Sequence, residues 1–430
     1  MEKTSIPGFR TVPKTGVIYV MHEATKRGFD YGDRAWANLG QGSPETGELP
    51  GAPPRREHLT IDPSRHKYAP VEGQLEFRQR VAELYNRFYR QGKASQYTYE
   101  NVSISGGGRA ALTRLVAALG DVNMGHFLPD YTAYEELLTT FKSFIPIPIL
   151  LSRASGFKIS LAELEREILG RGLTVVLASN PCNPTGRLIE GDELAGWVRL
   201  ARENQCTFIL DEFYSHYIYT PGANDGPKMV SAAAHIEDVN RDPVIIVDGL
   251  TKNWRYPGWR ISWTVAPKEV IDVIASAGSF LDGGANNPFQ QEVLPMLDPE
   301  VVLQEATAIQ KHFHEKRRYT LERLRGMGIE VEAEPEGTFY CWANLAKLPP
   351  PLDDGLAFFK AGLEEKVITV PGIFFDVNPG RRRANARYQN YVRVSFGPEM
   401  ETLVRGLDAL HRVIEQAGLP VYANGQSARP

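Results

Sequence analysis

The stretch NVSISGGGRAALTRLVAAL, residues 101–119, decides the fold of this chain. NVSIS has the composition of a strand, GGGR is typical of a turn, and AALTRLVAAL has apolar residues at helical spacing. HFLPD, residues 126–130, then has the pattern of another strand. A strand, a helix and a second strand in succession predict parallel pairing, because parallel strands need a long crossover connection.

The same alternation continues towards the C-terminus. TVVLASN (174–180), TFILDE (207–212) and VIIVDGL (244–250) have the pattern of strands, and residues 192–204 have that of a helix. These strands are rich in β-branched and aliphatic residues, which is typical of strands that are covered on both faces. The fold class is therefore α/β, with a mostly parallel central sheet flanked by helices.

The length of the chain, 430 residues, predicts more than one domain. Single domains usually divide beyond roughly 250 to 300 residues. We expect an N-terminal arm with part of a small domain over residues 1–65, a large domain over 66–290, and a smaller α+β domain over 291–430. The cleft between the domains is the expected active site.

Several further elements follow from local patterns. Apolar residues recur at near-helical spacing over 75–89, and a longer helix is predicted over 301–325. IEVEA (329–333), FYCWANL (339–345) and YVRVSFG (391–397) resemble strands of the smaller domain.

Composition excludes several classes of function. The formal net charge of −4, with Lys and Arg spread along the chain, argues against a nucleic-acid partner. Three scattered cysteines are too few for a disulfide framework or a thiolate metal site, so we expect no metal and a reducing, cytoplasmic setting. The longest apolar stretch, 144–151, is short and contains Pro146 and Pro148, so we expect no membrane span.

DGLTKNWRYPGWR, residues 248–260, is the first candidate for chemistry. Lys252 follows the strand VIIVDGL, so its amine is expected where open α/β sheets bind ligands. Arg260 lies eight residues later, and its guanidinium could bind two oxygens of a phosphate. Taken alone, a lysine is more often a solvated surface group, and the arginine could be one as well.

Two more segments have both an ordinary and a chemical interpretation. Asp211 ends the strand TFILD and could simply cap the next turn, while SNPCNPTG (179–186) could be a proline-rich turn. GGGR at 106–109 joins a strand to a helix, so its backbone N–H groups could cradle a phosphate.

Together these motifs resemble the class I/II pyridoxal-phosphate-dependent aminotransferases, which are aspartate-aminotransferase-like and have fold type I. The resemblance extends over roughly residues 16 to 410, with the motifs in the family's order. It implies that Lys252 forms a Schiff base with pyridoxal 5'-phosphate and that Arg260 binds the phosphate. PEGTFYCW (335–342) and VPGIFF (370–375) match further signatures of the small domain.

The resemblance also implies which residues hold the cofactor ring. Asp211 corresponds to the aspartate that keeps the ring nitrogen protonated. Tyr214 and Asn183 correspond to the residues that bind the phenolic oxygen, and Asn183 lies beside the substrate as well. Tyr131, in LPDYTAY, corresponds to the aromatic residue that stacks on the ring.

The phosphate is implied to bind at the turn that contains Gly107, Gly108 and Arg109, together with Thr251. One position departs from the family pattern, because Gly249 stands where a serine often binds the phosphate. Phosphate binding at that edge therefore needs another explanation.

The substrate carboxylate is implied to bind Arg393, in YVRVSFG, with Gly42 near the substrate. An arginine in a buried strand would be costly without an anion. Tyr68, in YAPVEG, corresponds to a tyrosine that reaches the phosphate of the neighbouring subunit. The resemblance thus implies a homodimer with shared active sites.

The function implied is transamination between an L-amino acid and a 2-oxo acid in amino-acid metabolism or biosynthesis, with ping-pong kinetics. A lyase, cyclase or oxidase with the same cofactor is an alternative, because a fold does not settle a reaction. A dinucleotide-binding oxidoreductase is a second, because Gly106, Gly108 and Ala111 fit G-x-G-x-x-A. A catalytically inactive binding protein is a third, although the lysine and the aspartate are both present. The basic segment 381–387 is expected to be an exposed loop.

Overall fold

A computed structural model describes residues 7–9, 12, 14–141, 143–222 and 226–418. The strands are β1 Ala37–Asn38, β2 Val102–Ser105, β3 Asn123–Leu128, β4 Ile145–Leu150, β5 Leu173–Ser179, β6 Thr207–Asp211, β7 Val244–Gly249, β8 Ser262–Val265, β9 Tyr340–Asn344, β10 Val367–Ile368, β11 Val370–Pro371 and β12 Tyr391–Ser395. The α-helices are α1 Gly16–Lys26, α2 Leu75–Tyr89, α3 Gly108–Ala117, α4 Ala133–Thr140, α5 Leu161–Arg171, α6 Gly191–Glu203, α7 Lys268–Leu281, α8 Asn287–Val293, α9 Pro299–Gly326, α10 Gly355–Glu364 and α11 Met400–Gln416.

The central sheet has seven strands in the order β2-β8-β7-β6-β5-β3-β4. Strands β7, β6, β5, β3 and β4 pair in parallel, and β8 is antiparallel to both β7 and β2. Every residue of β7 is buried, as expected for a strand between two helical layers. The prediction of a mostly parallel sheet flanked by helices is confirmed.

Strand β4 was not recognised in the sequence, where residues 144–151 were interpreted only as a short apolar stretch. Pro146 and Pro148 lie within this strand, and β4 forms one edge of the sheet. Proline cannot donate a ladder hydrogen bond, so an edge is the place where a sheet tolerates it. The prolines argued against a central strand, but not against an edge strand.

Two smaller sheets lie outside the central one. Strands β11, β12 and β9 form an antiparallel sheet in that order, and β1 pairs in parallel with β10. The beginning of the chain therefore packs against its C-terminal part. The domain boundaries near residues 65 and 290 stay a prediction.

The strand predicted over 329–333 is wrong. Only Glu330 in this segment pairs with another strand, in a single bridge to Asn344 of β9. The neighbouring Glu332 instead accepts side-chain hydrogen bonds from Asn344 and, at 2.8 Å, from Tyr391. These side-chain hydrogen bonds hold the segment beside β9, although the backbone forms only the one bridge and no strand ladder.

The predicted helices over 75–89, 192–204 and 301–325 correspond to α2, α6 and α9. Segment 381–387 lies outside the α-helices and strands, and Arg381, Arg382 and Arg387 are exposed. Within the described ranges, no helix is both long and apolar enough to cross a membrane.

Candidate active site

A cavity of about 610 Å³ lies at the carboxyl ends of the parallel strands, which is within the range of roughly 300 to 1,000 Å³ typical of ligand sites. The sheet register pairs Ser179 with Asp211, so the ends of β5 and β6 meet at this edge. The predicted site residues that line the cavity are Gly42, Gly108, Arg109, Tyr131, Asn183, Asp211, Tyr214, Thr251, Lys252, Arg260 and Arg393.

Lys252 lies in the turn that follows β7, and its amine donates a hydrogen bond to the carbonyl of Gly42. Burial and the positive charges of Arg393 and Arg260 together lower the pKa of this amine to about 7. The carboxylate of Asp211 opposes this shift. A substantial fraction of the amine is therefore neutral near pH 7, which a nucleophilic or basic lysine requires.

Asp211 ends β6 and is 6% exposed. Tyr134 donates a hydrogen bond to its Oδ2 at 2.9 Å, and the backbone N–H of Phe213 donates to its Oδ1 at 3.4 Å. Burial raises the pKa of this carboxyl to about 6, although these hydrogen bonds and Lys252 act in the opposite direction. The carboxylate is thus mainly ionised at neutral pH and can face a cationic group in the cavity.

Tyr214 and Tyr340 form a buried pair whose hydroxyl oxygens are 2.8 Å apart. The sequence predicted Tyr214 as a site residue, but it predicted no role for Tyr340 or Tyr134. Tyr340 lies within the segment 335–342, which was noted only as a signature. Tyr134 lies in the first turn of α4, three residues after Tyr131, and the two ring centroids are 5.4 Å apart.

Arg393 of β12 is 1% exposed and ends among polar groups of the cavity. Its Nη1 donates to Oδ1 of Asn183 at 2.9 Å, and its Nη2 donates to the carbonyl of Gly40 at 2.6 Å. Its Nε is buried without a hydrogen-bond partner, and the guanidinium lies 4.1 Å from the ring centroid of Tyr340. Among the described residues Arg393 forms no ion pair with a carboxylate, so an anionic ligand would compensate its buried charge.

Another part of the cavity wall is suited to a phosphate. Helix α3 begins at Gly108, so its N-terminal amides and positive dipole end lie at the cavity. Gly107 has a φ of 96°, and a Cβ there would lie 2.2 Å from Nη2 of Arg260. The turn and the guanidinium thus approach more closely than any side chain at residue 107 would allow.

The departure at Gly249 has a steric cause. A Cβ at this position would lie 2.5 Å from the Cα of Ser262, on the antiparallel strand β8. A serine at residue 249 would therefore force β7 and β8 apart. Thr251 lines the cavity instead, two residues further along the turn.

Tyr68 is 96% exposed and does not line the cavity of its own chain. Its expected contact is with the site of a second subunit, and this remains a prediction.

Comparison with known families agrees with this geometry. The family model "Aminotransferase class I and II" matches residues 34–410. The chain belongs to this family.

Relatives of this aminotransferase have names that differ in substrate. A probable aspartate/prephenate aminotransferase of Aquifex aeolicus is 27% identical over 354 residues, which are 81% of this chain and 84% of that protein. A probable N-acetyl-LL-diaminopimelate aminotransferase of Bacillus subtilis is 28% identical over 360 residues, which are 81% of this chain and 82% of that protein. These names support an enzyme of the aminotransferase class, but they do not indicate which substrate side chain the enzyme accepts.

Solved structures agree with the fold of the aminotransferase. A single mutant of Thermus thermophilus aspartate aminotransferase superposes with a TM-score of 0.75 at 23% identity, covering 96% of this chain and 100% of that one. An aminotransferase from Mycobacterium tuberculosis gives 0.76 at 21% identity, covering 97% and 100%. The family match and the fold favour an aminotransferase over a dinucleotide-binding oxidoreductase.

Proposed function

We propose that this aminotransferase uses pyridoxal phosphate to move an amino group between an L-amino acid and a 2-oxo acid, with ping-pong kinetics. The observation that carries the proposal is that the amine of Lys252 and the carboxylate of Asp211 line one cavity. The anion-suited turn at 106–109 and the buried guanidinium of Arg393 lie at the same cavity.

The residues present fit pyridoxal phosphate. The amides at the start of α3, with Gly107, Arg109, Arg260 and Thr251, would hold the phosphate, because they combine a helix N-terminus with two guanidinium groups.

The remaining contacts would hold the ring. Asp211 would face the ring nitrogen, Tyr214 and Asn183 the phenolic oxygen, and Tyr131 the ring face. The carbonyl end of Asn183 already accepts from Arg393, so its NH₂ end is the one that can serve a ligand. When bound, the cofactor supplies a carbonyl group that accepts the amino group and a ring that withdraws electrons.

Lys252 would act as nucleophile towards the cofactor and as the base that moves the Cα proton. With a pKa of about 7, its amine can both accept and return a proton near neutral pH. Arg393 would bind the substrate carboxylate and thereby fix the Cα–H bond relative to this amine.

Asp211 would stabilise a proton on the ring nitrogen through its negative charge. The hydrogen bond from Tyr134 fixes one oxygen of this carboxylate, so its orientation does not depend on a ligand. A buried carboxylate facing a cationic nitrogen forms a strong charge-assisted hydrogen bond.

We also propose a homodimer located in the cytoplasm. The segment around Tyr68 packs near α7, since a Cβ at Gly278 of that helix would contact Val71. Tyr68 and Phe280 of α7 are 96% and 75% exposed, and aromatic side chains are enriched at protein interfaces. The cysteines Cys182, Cys206 and Cys341 form no disulfide, which is compatible with a reducing compartment.

The test is an absorbance titration of the purified protein with pyridoxal phosphate, followed by borohydride reduction and peptide mass analysis. We expect a visible band and covalent attachment at Lys252, both lost in Lys252→Ala. Lys347→Ala, which changes a lysine with a side chain that is 70% exposed, is the matched control and should keep both signals. Binding without attachment at residue 252 would contradict the proposal.

Steady-state kinetics then separate transamination from the alternatives. An aminotransferase gives parallel double-reciprocal lines with an amino acid and a 2-oxo acid, and it does not turn over without the oxo acid. Sustained turnover without an acceptor would instead indicate a lyase, cyclase or oxidase.

A further inference from the structure

A second cavity of about 470 Å³ adjoins the active-site cavity. Both are lined by Val17, Arg109, Leu112, Tyr131 and Thr132, so the two cavities share this part of their walls. We call the second cavity the annex. The residues that line the annex alone are Thr15, Ile18, Thr113, Ala133, Tyr134, Glu136, Leu137, Thr140, Phe141 and Leu281.

The annex lies between helices α1, α3 and α4, next to the end of α7. Its walls are mostly apolar and include Ile18, Leu137, Phe141 and Leu281. Burial of apolar surface is the main source of affinity in such a cavity.

The charged groups of the annex do not favour a charged ligand. Arg109 and Glu136 are the only lining residues with charged side chains, and their charges are opposite. A second carboxylate would gain from Arg109 but would be repelled by Glu136, and an amine would meet the reverse arrangement. The annex therefore has no net charge to select for either.

Three of the six hydroxyl groups that line the annex donate hydrogen bonds within the chain. Thr113 donates to the carbonyl of Arg109 at 2.7 Å, and Thr140 donates to the carbonyl of Glu136 at 2.8 Å. Tyr134 donates to Asp211. These groups do not offer their protons to a polar ligand.

The annex adjoins the part of the active-site cavity that is assigned neither to the substrate carboxylate nor to the cofactor phosphate. In the proposed function, the substrate carboxylate binds at Arg393 and the cofactor phosphate at the turn before α3. The shared residues Val17, Leu112 and Thr132 have no role in holding either group. In the arrangement proposed below, a side chain on Cα would pass these residues to enter the annex.

We propose that the annex binds the side chain of the amino-acid substrate and that this side chain is large and apolar, of aromatic size. The inference rests on the proposed function, because it places the substrate Cα beside Lys252. Helix α1, in the N-terminal part of the protein, contributes Val17 and Ile18 to the annex and so covers the substrate side chain.

The first test compares L-phenylalanine, L-alanine and L-aspartate as amino donors. Each is mixed with the holoenzyme, and the loss of the cofactor absorbance band gives kcat/KM for the half-reaction. A hydrophobic pocket discriminates roughly 10- to 200-fold for one missing methylene, so phenylalanine should exceed alanine by at least about tenfold. Aspartate should be no better than alanine.

The second test fills the annex. Leu137 lines the annex but not the active-site cavity, and Leu137→Trp should lower the ratio of kcat/KM for phenylalanine over alanine by at least about tenfold. Thr140→Trp is a second filling variant that changes an exposed position and so preserves folding. Leu169→Trp, on the exposed face of α5, is the matched control and should keep the ratio.

The outcomes distinguish the two proposals. The annex proposal is overturned if aspartate or alanine reacts as fast as phenylalanine or faster, and if Leu137→Trp and Thr140→Trp leave the kcat/KM ratio of phenylalanine over alanine unchanged. This result leaves transamination intact. Failure of these three donors and of a panel of the other common L-amino acids to react with a holoenzyme that carries cofactor on Lys252 overturns both. A preference for phenylalanine that both filling variants reduce supports the annex as the side-chain site.

Discussion

At the scale of single residues, Lys252 is controlled by the charges around it. Burial and three arginines, Arg393, Arg260 and Arg109, lower its pKa, and the carboxylate of Asp211 opposes them. The chain's own residues thus bring the amine close to half neutral at pH 7, before any ligand binds. An ordinary lysine, with a pKa near 10.4, would be almost fully protonated there.

The rate at which the apoprotein captures pyridoxal phosphate should therefore depend on pH in a defined way. Only the neutral amine attacks a carbonyl, so the rate should rise about tenfold per pH unit below the pKa and level off above about pH 7. Stopped-flow absorbance between about pH 5.5 and 9 measures it. N-α-acetyl-lysine under the same conditions corrects for titration of the cofactor itself. A rate that still rises steeply at pH 9 would contradict the lowered pKa.

The sequence predicted those site residues that lie in compact motifs, such as Lys252, Asp211 and Asn183. It gave no role to Tyr340 and Tyr134, because their function is to bind other side chains of the site. Tyr340 contacts Tyr214 from a strand 126 residues away in the chain, a distance at which no local spacing is informative. Contacts of this kind are determined by the fold and not by a motif.

At the scale of elements, the turn between β2 and α3 is the part most sensitive to the size of a side chain. Gly106 and Gly107 are adjacent, yet a Cβ at Gly106 would meet no atom within 4 Å. At Gly107 the same atom would collide with Arg260, on a backbone with positive φ. The two neighbours form a natural pair of test and control.

Gly107→Ala should weaken both the fold and phosphate binding. A left-handed backbone in a non-glycine residue costs about 1–3 kcal/mol, and the collision would displace Arg260 from the turn. We expect a clear fall in Tm and a Kd for pyridoxal phosphate raised about tenfold or more, as measured by thermal melts and absorbance titration. Gly106→Ala should change both only slightly. Equal effects of the two variants would refute the steric argument.

The elements also show where sequence patterns stop being informative. Central strands such as β5 and β7 were predicted, because burial on both faces leaves a continuous apolar pattern. Strand β4 was missed, because its two prolines are atypical of strands in general although an edge strand tolerates them. Segment 329–333 was predicted as a strand, because its composition resembles one although only a single bridge forms.

At the scale of the whole molecule, the N-terminal part of the chain is joined to the turn that carries Lys252. Arg55 donates to the carbonyls of Trp254 and Arg255 at 3.2 and 2.9 Å, and its guanidinium lies 3.6 Å from the ring centroid of Tyr256. The same part of the chain supplies the carbonyl of Gly42 to the amine of Lys252. The site is thus assembled from segments distant in sequence, and the proposed dimer would extend this assembly to a second copy.

Mixing two inactive variants tests whether the active site is shared between subunits. Lys252→Ala lacks the amine, and Tyr68→Ala lacks the exposed tyrosine that is proposed to serve the neighbouring site. If Tyr68 acts across the interface, a mixed dimer contains one site with both residues intact, because Lys252 comes from one chain and Tyr68 from the other. An equal mixture, after dissociation and random reassociation, should therefore regain about a quarter of the wild-type activity, plus about a quarter of any activity that Tyr68→Ala retains alone. Each variant assayed alone at the same total concentration is the control. If Tyr68 acts only within its own chain, or the protein is a monomer, each chain has at most one of the two groups and mixing restores nothing.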